Sequence, residues 1–294
     1  MRSVKSRERI GRFANRSVCL SELDCDKWAV HREARRRGNQ GYDIIELAIG
    51  EPDTPAPRRL IAAAIESIGK CHSCYALAQD KPNVIEAIAA EYAARGGRQV
   101  TRDNVIFMPG TQAALFAAMQ MLAGAGDEVL VGDPSYATYE GVIKSAGADI
   151  VHVPLRPQLA FHMQAEDLET HVSPRAQVLL LNTPHNPTGA TLSAREISRI
   201  AEVCKRQDLW IICDEVYETM TYGASFASPF DPPGGFERTV VVSSISKSHM
   251  PPGLSRGLVR GAAALHRAHA SPGGKYAVRK AALPAGNRRT RSAG

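Results

Sequence analysis

The chain has 294 residues, 44% hydrophobic and 22% charged, with a net charge of +6. That balance is typical of globular proteins and excludes collagen, coiled coil and wholesale disorder, and the length suits one large domain or two small ones. The sequence has no apolar stretch long enough to span a bilayer, and the basic stretch Met1–Ser17 has no apolar core behind it to make a secretory signal, so a cytoplasmic protein without a membrane partner is expected.

The positive charge is concentrated at one end. Residues 248–294 carry nine basic residues and no acid, whereas the first 247 hold 27 bases against 30 acids. The basicity therefore belongs to an Ala-, Gly-, Arg- and Pro-rich tail that buries little apolar area and is expected to be poorly ordered. No specific nucleic-acid partner follows from it. Cys71 and Cys74 form a lone CxxC around His72. Zinc needs a second ligand pair at suitable spacing, and none is evident, so no metal is expected. Cys204 and Cys213 fall in apolar periodic segments and read as core.

In chain order, short apolar runs alternate with amphipathic stretches. Runs at Asn104–Met108, Glu128–Val131, Ile150–Val153, Val178–Leu181, Trp210–Cys213 and Thr239–Val242 predict strands. Between them, Thr111–Leu122, Tyr136–Ala146 and Ala194–Arg206 predict helices, the third opened by a capping box of Ser193 and Glu196. This alternation predicts an α/β fold, a mostly parallel sheet covered by helices on both faces. Ligands in such sheets sit at the carboxyl ends of the strands.

Five strand ends carry suggestive groups. Pro109-Gly110-Thr111-Gln112 opens a helix, whose free N–H groups and dipole suit a phosphate, although by themselves these residues read more simply as a turn and N-cap. Asp133-Pro134-Ser135-Tyr136 places an aromatic ring there, as a cofactor platform or as ordinary packing. Asn182 to Gly189 holds two prolines and a glycine that fix the loop and aim Asn186. Asp214 ends an apolar run, where ionisation is costly without a cationic partner; a helix cap is the alternative. Lys247, among the small hydroxyls of Ser243 to Ser248, is a candidate amine nucleophile or a solvated lysine.

Together these strings resemble the class I/II, fold-type-I aminotransferases, which use pyridoxal 5′-phosphate. The resemblance runs from about Trp28 to Lys247. Its most specific strings are Asn186-Pro187-Thr188-Gly189, Asp214-Glu215-Val216-Tyr217 and Ser246-Lys247-Ser248, and Leu47 to Asp53 is similar to the family's substrate-side strand and loop. The resemblance implies the three-layer, mostly parallel sheet of the family's large domain, with the C-terminal small domain missing. It implies a homodimer acting on amino-acid and 2-oxo-acid substrates. It also implies that Lys247 forms the Schiff base with the cofactor and moves the proton, and that Asp214 pairs the ring nitrogen. Asn186 and Tyr217 would bond the ring's 3′ oxygen and Tyr136 would stack on the ring. Gly110, Thr111, Gln112 and Ser244 would hold the phosphate, with Tyr75 reaching the neighbouring subunit's phosphate. Gly50, with Asn186, would lie beside the substrate.

Three departures stand against this pattern. Asp80 replaces a glycine five residues after Tyr75, and Ser255 stands where a phosphate-binding arginine is expected, with Arg256 one place late. Beyond Lys247 the pattern vanishes. Pro252–Gly261, written in synonymous codons and read in the neighbouring frame, spells Pro-Gly-Phe-Arg-Ala-Gly-Trp-Cys-Val-Gly, which restores the arginine, so a frameshift near Pro251 is the expected origin of the tail. The strand expected after the lysine loop is replaced by residues 257–261, which read as too short and broken to cover their neighbours. The expected organisation is an N-terminal arm and small-domain segment over 1–46, a cofactor-binding large domain over 47–250 and an aberrant tail over 251–294. The expected activity is transfer of an amino group from an L-amino acid to a 2-oxo acid, impaired in this chain. A β-lyase or decarboxylase on the same scaffold and a non-catalytic remnant remain as alternatives.

Overall fold

Continuous apolar runs build the central strands, and because successive side chains point to opposite sides each strand supplies two apolar faces. The strands are β1 (Val105–Met108), β2 (Glu128–Asp133), β3 (Asp149–Pro154), β4 (Ala176–Asn182), β5 (Trp210–Asp214), β6 (Thr239–Ser244) and β7 (Gly257–Arg260). The helices are α1 (Ala29–Asn39), α2 (Arg58–Gly69), α3 (Pro82–Gly96), α4 (Thr111–Leu122), α5 (Tyr139–Ser145), α6 (Ala165–His171), α7 (Ala194–Arg206) and α8 (Ile245–Ser248). The computed structural model describes residues 20, 23, 25–47, 50, 55–69, 82–96, 100–235, 237–248 and 257–260. The CxxC, Tyr75, Asp80, Ser255 and Arg256 lie outside the described residues.

The sheet runs in the order β1-β7-β6-β5-β4-β2-β3. β3, β2, β4, β5 and β6 pair in parallel, and β7 is antiparallel to both of its neighbours. The α/β architecture with a parallel sheet is as the alternation of elements predicts. From β4 to β6 the chain steps one way across the sheet, and from β2 to β3 the other way. The order therefore reverses between β2 and β4, the place where ligand crevices open in such sheets.

The two faces sort by residue parity. Val129, Val131, Val178, Leu180, Ile212, Val240 and Val242 point to α4 and α5, where Leu115, Met119 and Ile143 are fully buried. Leu130, Leu179, Leu181, Ile211 and Cys213 point to the opposite side, against Leu168 of α6 and Ile197, Ile200 and Cys204 of α7. Burial pushes the Cys204 thiol up to about 12, as expected for an inert core cysteine. Ser193 and Glu196 form the predicted capping box, with the Glu196 N–H on Ser193 Oγ at 3.3 Å and the Ser193 N–H on the Glu196 carboxylate at 2.7 Å.

Two elements differ from the sequence expectation. The helix predicted from Tyr136 begins at Tyr139, because the chain leaving β2 first makes a turn closed by the Tyr139 N–H on the Tyr136 carbonyl (3.1 Å). Tyr136 therefore stays in the loop at the strand end. The second difference is β7. Its four residues pair with β1 from Val105↔Arg260 to Met108↔Gly257 and with β6 from Val241↔Arg260 to Ser244↔Gly257. A ladder is made by backbone N–H and C=O groups, so four extended residues suffice to fill the gap between two strands. Among the described residues no helix is long and apolar enough to cross a membrane.

Candidate active site

The site gathers at the carboxyl ends of β2, β4, β5 and β6. Asp214, the last residue of β5, is 4% exposed. Its Oδ2 accepts the Tyr139 hydroxyl at 2.8 Å, and its Oδ1 accepts the Val216 N–H at a longer 3.3 Å. Among the described residues no cation pairs with this carboxyl. Burial pushes it up to about 6, with the Tyr139 hydrogen bond pulling the other way. A buried acid held so lacks a positive partner.

The loop after β4 is tied to β5 through Asn182. The Asn182 side-chain amide donates to the Asp214 carbonyl (2.9 Å), and its oxygen accepts the Asn186 N–H (2.7 Å). Asn186 is thereby turned so that its amide donates to the Tyr217 hydroxyl at 3.5 Å. Tyr217 in turn lies under the Lys247 Nζ, 6.0 Å from the ring centroid. Lys247 Nζ donates to the Gly50 carbonyl. Lys247, Tyr217, Asn186 and Gly50 are thus one connected group, and Asn182 joins it to Asp214.

Tyr136 sits against Tyr139 edge-to-face, with centroids 5.5 Å apart and an interplanar angle of 82°. Burial, and then the negative Asp214, push the Tyr136 and Tyr217 phenols above the usual range, so both stay protonated. Gly110 precedes α4 at φ 94°, a conformation open to glycine and strained for other residues. It turns the first N–H groups of α4, which have no intrahelical acceptor, outward at the helix start. The Gln112 side-chain amide donates to the Thr138 hydroxyl at 2.6 Å, which leaves its backbone N–H among the first N–H groups of α4. That bond joins the start of α4 to the turn before α5. Ser244 is buried at the end of β6, and its hydroxyl meets Ser246 Oγ at 2.7 Å and accepts the Ser246 N–H at 3.1 Å.

Tyr139, Asn182, Thr138 and Ser246 are the members that strand-end reading passed over. Ser246 was visible beside the lysine. Asn182 stood at a strand end but its bonding role was not legible, and Tyr139 carried no local signal, because their partners lie 32 and 75 residues away. Among the described residues no cluster of His, Cys, Asp and Glu is arranged to hold a metal ion.

The donor set fits pyridoxal 5′-phosphate. A buried carboxyl without a cation suits a pyridinium N–H, an amide and a phenol suit a ring oxygen, and a glycine-opened helix start suits a phosphate. The fold and these strings define a pyridoxal-phosphate-dependent transferase large domain, and the aminotransferase class I and II family model matches residues 42–286. The chain belongs to that family, whose members depend on pyridoxal phosphate.

Among individual relatives, it is 39% identical to an arginine–pyruvate transaminase of Pseudomonas aeruginosa over 238 residues, covering 81% of this chain and 61% of that protein. It is 32% identical to an aspartate aminotransferase of Geobacillus stearothermophilus, covering 79% of this chain and 60% of the relative. The aspartate aminotransferase of Thermus thermophilus solved with maleate superposes with a TM-score of 0.82 at 27% identity, over 88% of this chain and 66% of that one. The chain thus spans about 60% of the length of the curated relatives it matches.

Proposed function

We propose that the chain binds pyridoxal 5′-phosphate at Lys247 and serves the transfer of an amino group from an L-amino acid to a 2-oxo acid. The observation that carries this reading is the convergence of Lys247, Asp214, Asn186, Tyr217 and Tyr136 at neighbouring strand ends, beside a glycine-opened helix start. Bound there, the cofactor supplies an electron-accepting ring that takes up the charge left when the substrate's Cα–H bond breaks.

The remaining work falls to side chains. Asp214 accepts the ring N–H and, being anionic in that pair, holds the proton on nitrogen. Asn186 and Tyr217 donate to the ring oxygen, and Tyr136 covers the ring face. The first N–H groups of α4, with Ser244 and Ser246, bind the phosphate. Lys247 Nζ, held over Tyr217 and against Gly50, would in its neutral amine form accept the proton of the substrate's Cα–H bond and hold it at Nζ for its return. Gly50 leaves room beside that amine for the substrate. A homodimer completes the reading, with Tyr75 directed to the neighbouring subunit's phosphate.

Arginine with pyruvate is the first substrate pair to assay, because the 39%-identical relative is named for both. Turnover is impaired in this reading, since Ser255 stands where the family resemblance expects a guanidinium. A serine cannot replace a bidentate contact. The primary test is borohydride reduction of the cofactor-treated protein followed by peptide mapping. A pyridoxyl group on the Lys247 peptide is expected; a label on another lysine, or none in folded protein, defeats the proposal.

A further inference from the structure

Tyr139 follows Tyr136 by three residues, across the turn that the Tyr139 N–H closes on the Tyr136 carbonyl. One ring edge lies against the face of the other, and Tyr139 reaches past it to Asp214 Oδ2 at 2.8 Å. At 2% exposure its hydroxyl meets little competition from water. The second carboxyl oxygen has only the 3.3 Å backbone contact from Val216, so the phenol makes the shorter bond to this acid.

We propose that Tyr139 is a positioning residue which, through the hydrogen bond it donates to Asp214, keeps the shared proton on the nitrogen of the cofactor ring instead of on the carboxyl group. The inference rests on Asp214 being the ring-nitrogen partner. One proton lies between two bases, on nitrogen with an anionic carboxylate or on oxygen with a neutral ring. A hydrogen bond donated to the carboxylate stabilises the anion and lowers the basicity of its oxygen. Removing that bond moves the proton toward oxygen, with no other atom or electron displaced. Tyr139 remains a donor throughout, because burial and the adjacent Asp214 charge hold its phenol well above the usual range.

Tyr139→Phe is the test, since it keeps the ring in the core and against Tyr136. The protein is loaded with pyridoxal phosphate carrying 15N in the ring, and the nitrogen resonance is read at about neutral pH. The protonated position is expected for the unaltered chain, and a shift toward the unprotonated position for Tyr139→Phe. In the cofactor-free protein, the Asp214 carboxyl, followed by 13C and assigned with Asp214→Asn, is expected to titrate at about 6. Its midpoint is expected to rise by about one pH unit in Tyr139→Phe, a tenfold gain in proton affinity. Tyr92→Phe, which removes a hydroxyl 3.1 Å from the Glu218 carboxylate, is the control and leaves both signals in place. An unmoved nitrogen resonance in loaded, folded Tyr139→Phe overturns this inference alone. Failure of the unaltered chain to take up the cofactor overturns it together with the functional reading.

Discussion

Replacing Asp214 by asparagine should make the cofactor-free protein more stable. The carboxyl is 4% exposed, and burial raises it from 3.8 to about 6. At about 1.4 kcal/mol per tenfold change in proton affinity, that interval corresponds to about 3 kcal/mol. The sign follows from proton counting. Between the two values the folded state binds the proton more tightly than the unfolded state, so stability falls as pH rises through that window. An asparagine keeps an oxygen for the Tyr139 hydroxyl and carries no charge. It forfeits the long Val216 contact, a loss of about 1 kcal/mol. The net expectation is a gain of about 2 kcal/mol above pH 7, shrinking or reversing near pH 4. Urea denaturation of both proteins without cofactor, at about pH 4.5 and about pH 7.5, reads the difference directly. A stability difference that does not change with pH would refute the reasoning, since it would mean that Asp214 is not an uncompensated buried charge. In a version with the reading frame restored, Asp214→Asn should lower transamination far more than cofactor retention, because the phosphate and lysine contacts of the proposed site remain.

The other expectations concern neighbouring parts of the same scaffold. His185, which burial lowers to about 4, opposes Asp214: stability is lost as pH falls from 6.5 through about 4, so His185→Gln should flatten that acid limb in a denaturation series. Gly132→Ala at the end of β2 places a Cβ 2.8 Å from Leu155 Cδ1; destabilisation by about 1–3 kcal/mol is expected from urea curves. Leu179→Ala in the fully buried centre of β4 should cost about 2–5 kcal/mol by the same measurement. Ser193→Ala removes the α7 cap and should cost about 1 kcal/mol, seen as a lower midpoint without a change of slope.

Local chemistry determined much of this protein. The parity of Val178 to Leu181 assigns each residue of β4 to a face, because strand side chains alternate whatever surrounds them. The limits of α4 and α7 were legible because helical periodicity and the Ser193–Glu196 box are confined to a few consecutive residues. Asp214, Asn186 and Lys247 were legible as candidates because each follows an apolar run at a strand end.

Tertiary structure decided what these residues touch. Strand order brings Tyr139 onto Asp214 across 75 residues and Gln112 onto Thr138 across 26, and no short-range pattern encodes either meeting. β7 is the clearest case. Gly257 to Arg260 is only four residues long, yet it lies between β1 and β6, and two ladders of backbone hydrogen bonds hold it there.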